Sequence, residues 1–103
     1  MSENELKSLQ IPSQKYLQLQ GIKYIHLQQT RNRKQDTNKT LKGLPDLICF
    51  MNKGKVLIFE FKSKGEKLKP NQIEYRDYFY RNGYEYHVIY NLQDFIEIIK
   101  KNI

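Results

Sequence analysis

The sequence predicts an α/β domain, a mixed sheet of about four strands with flanking helices in the order αβββαβα. Three observations carry this expectation. Two β-rich runs, 46–51 and 55–62, are separated by Asn52-Lys53-Gly54, which suits a hairpin loop. A stretch that begins at Pro70 and stops at Asn82-Gly83 reads as a helix to about Arg81, and a strand-like run follows at 84–90. The 103 residues, 39% hydrophobic and 28% charged, suffice for one domain with a thin core.

Each element has its own local reason. Residues 13–20 read as a helix, with Pro12 near the start and Gly21 just past the end. Whether the helix extends back through Glu5 stays open, because Pro12 would then sit in its interior and kink it. Residues 22–27 look like a strand. The loop 52–54 fits a type I turn closed by Gly54 in the left-handed conformation. A polar turn at 63–69 leads into the helix that starts at Pro70. Asn91 caps a final helix, with Asp94 three residues on as a near capping box, and Leu92, Phe95, Ile96 and Ile99 form its apolar stripe. There are no internal repeats and no Pro/Gly/Ser linker, so residues 1–103 read as a single domain.

Composition narrows the function classes. No stretch approaches the roughly 20 apolar residues of a membrane span, and the polar N-terminus lacks the apolar region of a signal peptide. The single cysteine, Cys49, has no internal disulfide partner and lies in a strand, where it packs as a small apolar residue. His26 and His87 have no partner at metal-ligand spacing. An intracellular protein, cytoplasmic or nuclear, is expected. Eighteen basic against eleven acidic side chains leave a charge of +7, pointing to a polyanionic partner. Residues 1–45 carry eight basic and three acidic side chains, and the excess concentrates in a basic loop at about 30–43 with Arg31, Arg33, Lys34, Lys39 and Lys42. That loop is either a solvated connection or an arm that touches phosphates.

The hairpin places chemistry. With Asn52-Lys53-Gly54 as the loop, Met51 faces Lys55, Phe50 faces Val56, Ile48 faces Ile58 and Asp46 faces Glu60. Side chains alternate along a strand, so Lys62 shares the face of Glu60. Facing side chains sit about 5 Å apart, and two carboxylates that close repel unless a cation or proton lies between them. A hard divalent cation takes one or two carboxylates plus phosphate oxygens and waters. It activates water for attack on a phosphodiester, and a neighbouring ammonium can orient the water or balance charge. A two-residue loop would move Asp46 to the other face.

Gly43-Leu-Pro45-Asp46-Leu-Ile, then Ile58-Phe-Glu60-Phe-Lys62, then Gly65-Glu-Lys67-Leu-Lys-Pro70-Asn-Gln72 resembles the VRR-NUC domain family of the PD-(D/E)xK nuclease superfamily. The resemblance runs from about Arg31 to the C-terminus. It implies a restriction-endonuclease-like core, dependence on Mg2+ or Mn2+, and a DNA substrate, often branched or flapped. On that resemblance Asp46 and Glu60 are metal ligands, the backbone carbonyl of Phe61 is a third, Lys62 is the catalytic lysine, and Gln72 supports the site. Family members usually add a glutamate from the first helix, for which Glu5 and Glu3 are the acids available here; residues 13–20 contain none. Lys64, Lys67 and Lys69 follow Lys62 and, with the basic loop, would flank the acidic centre and contact phosphates.

Two functions of different class follow. One is a metal-dependent, structure-specific DNA endonuclease. The other is a non-catalytic DNA-binding accessory subunit of a larger complex, such as a DNA adenine methyltransferase assembly. A homodimer or a larger protein complex is compatible with either. The eight tyrosines could stack on bases, but Tyr75, Tyr78 and Tyr80 share one helix at mixed facings and are expected to be core or half-buried.

Overall fold

A computed structural model describes residues 3–27 and 42–103, with side chains from residue 8 onward. Among the described residues three α-helices flank one four-stranded mixed sheet: α1 (Glu3–Leu19), β1 (Lys23–His26), β2 (Leu47–Phe50), β3 (Val56–Phe61), α2 (Pro70–Arg81), β4 (Glu85–Ile89) and α3 (Leu92–Lys101). The strand order is β1-β2-β3-β4. The first two pairings are antiparallel and the last is parallel. A parallel partner needs a crossover, and α2 supplies it.

The register is the one the three-residue loop requires. Phe50 faces Val56, Cys49 faces Leu57, Ile48 faces Ile58 and Leu47 faces Phe59. The turn itself differs from expectation. Lys53 (φ 62°, ψ 31°) and Gly54 (φ 76°) both adopt the left-handed conformation. The chain therefore makes a mirror-image turn, whose twist matches that of the flanking strands. Met51 N–H bonds the Lys55 carbonyl at 2.7 Å, closing the hairpin with the register intact.

Of the two extents left open for helix α1, the structure takes the longer, and the helix runs through Pro12. Leu9, Ser13 and Leu17, four residues apart, form one buried stripe against the sheet. Ser13 Oγ donates to the Leu9 carbonyl at 2.8 Å, so the one polar member of the stripe is satisfied. Burial of that stripe outweighs the local cost of an interior proline. The helix is tied to β1 by glutamines on successive turns, with Gln10 bonding His26 and Gln14 and Gln18 bonding the Tyr24 hydroxyl.

The core lies on the sheet face covered by α1 and α3. Leu47, Cys49, Leu57, Phe59, Phe61 and Ile89 from the strands meet Leu9, Leu17, Phe95 and Ile99 from the helices. Phe95 packs on Phe59 and Phe61 with ring centroids 4.8 and 5.9 Å away. Asn91 caps α3 as expected, its Oδ1 accepting from Asp94 N–H at 2.9 Å. The opposite face is covered by α2 over β4, where Phe79 stacks on Tyr86 at 5.8 Å. Helix α2 leaves the β1 end of that face open, and Ile25 and Phe50 are exposed there. Tyr78 and Tyr80 are exposed too, against expectation, because only one side of α2 meets the sheet. Among the described residues no helix is long and apolar enough to cross a membrane.

Candidate functional site

Asp46 sits in a bend one residue before β2, and Lys62 follows β3 by one residue. The regular register ends at Leu47, and Asp46 bridges both neighbours, its carbonyl accepting from Leu27 N–H at 2.9 Å. Asp46 N–H bonds the Phe59 carbonyl at 3.0 Å, and Lys62 N–H bonds the Ile89 carbonyl at 2.9 Å. Since Lys62 N–H turns toward β4, the Phe61 N–H turns the other way and donates to Asp46 Oδ2 at 2.8 Å. A strand residue's N–H and C=O leave by the same edge, so the Phe61 carbonyl is on the Asp46 side as well.

Glu60 and Lys62 are only 4% and 5% exposed. Glu60 Oε1 is buried with no hydrogen-bond partner. Burial first, then a hydrogen bond to Asp46 and the charge of Asp46, drive the Glu60 carboxyl far above the ordinary carboxylate range; the Lys62 ammonium pulls it the other way. With no cation to balance it, the Glu60 carboxyl thus favours its protonated form. Lys62 Nζ lies 3.9 Å from Glu66 Oε2. Glu66 is itself held in place, its Oε1 accepting from Ser63 N–H at 3.3 Å and Ser63 Oγ at 3.1 Å, and its carbonyl accepting from the Tyr90 hydroxyl at 3.1 Å. A cleft of about 470 Å3 opens beside Lys62, lined by Leu9, Ser63, Lys64, Tyr90 and Leu92 among others.

Two neighbours complete the arrangement. Gln72, 9% exposed, accepts from Lys69 N–H at 2.8 Å and so closes the first turn of α2. Gly43, at φ +88°, packs against the same turn; a Cβ there would come within 2.6 Å of the Asn71 carbonyl. The loop that carries Asp46 is thus seated directly on the N-terminus of α2.

Lys42, Lys64, Lys67 and Lys69 are exposed. Arg31, Arg33, Lys34 and Lys39, and the side chain of Glu5, lie outside the described residues. His26 bonds Gln10, and His87 bonds Glu85 at 3.1 Å while stacking on Phe59, so both have packing roles. The buried Cys49 thiol is pushed up to about 12 by burial, which leaves it unreactive. Sequence reasoning passed over Glu66 and Tyr86. Glu66 stands four residues after Lys62, a spacing open to inspection. Tyr86 carried no local signal, since its place beside Glu60 depends on the parallel register of β4.

The donors fit a hard divalent cation. Two carboxylates and a peptide carbonyl would offer oxygen donors, and one carboxylate oxygen is buried without a protein partner. Among the described residues no third acidic, histidine or cysteine side chain joins them. Mg2+ commonly takes only one or two carboxylates, with waters and substrate phosphate completing its shell.

An α/β sheet that brings Pro-Asp and Glu-x-Lys motifs to one end is nuclease-like in class. The model of the VRR-NUC domain matches residues 5–91, and the chain belongs to that family. A solved structure titled "VRR_NUC domain" has the same fold, with a TM-score of 0.67 over 88% of this chain and 89% of that one, at 20% identity. No curated protein matches the sequence.

Proposed function

We propose that this VRR-NUC protein is a divalent-metal-dependent DNA endonuclease acting on duplex or branched DNA inside the cell. One observation carries the reading: Asp46 and Glu60 are paired at a buried sheet end with Lys62, and Glu60 keeps an unpartnered oxygen there.

Asp46, Glu60 and the Phe61 carbonyl would hold Mg2+ or Mn2+, with Glu5 a candidate fourth donor from α1. When bound, such an ion lowers the pKa of a coordinated water and stabilises charge developing on the phosphate. The remaining work falls to the chain's own groups. Lys62, buried and steered by Glu66, presents an ammonium that orients the attacking water or balances the phosphate's charge. Gln72 keeps the first turn of α2 closed, and that helix N-terminus supports an anion through its free N–H groups. Lys42, Lys64, Lys67 and Lys69, with Arg31, Arg33, Lys34 and Lys39 of the basic loop, hold the DNA backbone, and the cleft beside Lys62 gives the strand room.

A second reading has its own observation. From Ser8 to the end of α1, where the side chains are described, there is no acidic residue, so that part of the helix brings no carboxylate to the site. On this reading the protein binds DNA without cutting it, as a subunit of a larger complex such as a DNA adenine methyltransferase assembly. Incubation with Mg2+ or Mn2+ on duplex, flap and four-way-junction DNA separates the two. Cleavage that disappears in Asp46→Asn and Glu60→Gln supports the nuclease. Salt-sensitive DNA binding with no cleavage under either ion supports the subunit.

A further inference from the structure

Two buried side-chain atoms among the described residues have no hydrogen-bond partner, Glu60 Oε1 and the Tyr86 hydroxyl. They are neighbours. Tyr86 pairs with Ile58 across the parallel β3–β4 ladder, and Glu60 pairs with Val88, so the two side chains lie on one face in diagonal positions. Diagonal neighbours come within reach when one of them is aromatic. Tyr86 is 3% exposed, its ring stacked on Phe79 at 5.8 Å and edged by Tyr80 at 6.2 Å, so α2 holds it against the sheet. Its neighbour Tyr80 spends its own hydroxyl on the Tyr86 carbonyl and does not relieve the Tyr86 hydroxyl. The fields of Glu60 and then Asp46 reach that hydroxyl and, after burial, are the next largest influences that raise its pKa.

An orphaned phenol beside an orphaned carboxylate oxygen is a donor beside an acceptor. Each carries the desolvation penalty of a buried polar atom with no partner. One bridge relieves both. We propose that Tyr86 is a positioning residue for Glu60, its hydroxyl donating to Oε1 across one bridging water and so fixing the carboxylate in the orientation that receives the metal. The role resembles that of other outer partners of metal-bound carboxylates, whose loss weakens metal affinity about 10–100-fold. The proposal rests on the reading of Asp46 and Glu60 as metal ligands.

Tyr86→Phe removes one oxygen and keeps the ring stacked on Phe79. Two measurements on the DNA-free protein test the assignment. Calorimetric titration with Mn2+ is expected to show affinity at least tenfold weaker in Tyr86→Phe than in wild type. Urea unfolding without metal, on wild type, Tyr86→Phe, Glu60→Met and the double variant, is expected to show coupling of roughly fivefold in the folding equilibrium, the weight of one net hydrogen bond. Additive unfolding with unchanged Mn2+ affinity overturns the proposal. Coupling in a wild-type protein that binds no Mn2+ keeps the Tyr86–Glu60 contact and rejects the metal reading instead. A purely structural tyrosine would alter stability without lowering Mn2+ affinity.

Discussion

Gly43 lies so close to Asn71 that a side chain on it would collide with the Asn71 carbonyl carbon and oxygen at 2.6 Å and with the Gln72 amide nitrogen at 2.9 Å. The contact joins the loop carrying Asp46 to the first turn of α2, whose closing residue is Gln72. Backbone meets backbone, so nothing flexible can give way. Gly43→Ala is expected to cost about 2–4 kcal/mol, combining a left-handed residue with a backbone clash. Urea denaturation checks this. Gly21→Ala, at a positive φ with open space around it, should cost only about 1–2 kcal/mol.

Glu60→Gln should make the metal-free protein more stable at neutral pH. The folded-state pKa of Glu60 is raised above its ordinary value of 4.5. Between those two values the native state holds a proton that the unfolded chain has released. Wild-type stability therefore falls as pH rises through that window, by at most about 1.4 kcal/mol per pH unit for one proton. Glutamine has no proton to lose. Thermal melts in EDTA at several pH values should show the two proteins diverging above about pH 4.5, with the variant higher, and converging below it.

Metal binding and proton loss should be linked. On the proposed metal reading, cation and proton compete for the same carboxylates, so Mn2+ would displace the proton. Affinity is expected to rise with pH toward the raised Glu60 value, up to tenfold per unit for one proton. Titration calorimetry in buffers of different ionisation enthalpy should count close to one proton released per ion at pH 7. A pH-independent affinity would place the ion elsewhere.

DNA binding should be steeply salt-dependent and weakly sequence-specific. Each phosphate neutralised contributes about −0.9 to the slope of log K against log salt on duplex DNA. Replacing Lys64, Lys67 and Lys69 by alanine is expected to flatten that slope by about two to three units. The same holds for Arg31, Arg33 and Lys34 in the basic loop. Fluorescence anisotropy across a salt series, without divalent ion, measures both. An unchanged slope in the loop variant would make that segment a solvated connection.

The hairpin shows how much of this protein was legible before any coordinates. A three-residue loop and side-chain alternation are local facts, and the register they predict holds from Phe50 opposite Val56 to Leu47 opposite Phe59. Beyond it the chain bends at Asp46, whose carboxylate meets the Phe61 N–H. The start of α2 at Pro70 and the Asn91 cap of α3 are equally local, resting on a missing N–H and on a side chain that bonds a nearby amide. Other features needed tertiary contacts. Helix α1 passes through Pro12 because Leu9, Ser13 and Leu17 bury one stripe against a sheet assembled from residues far along the chain. Local propensity registers the proline and cannot register that burial. Tyr86 comes beside Glu60 only through the parallel pairing of β4 with β3, a pairing between strands far apart in the sequence. Hydrogen-bonding the last strand one residue out of step would send Tyr86 to the other face. Sequence alternation decided which residues share a face; packing decided which strands lie side by side, and with them the full set of groups around Glu60.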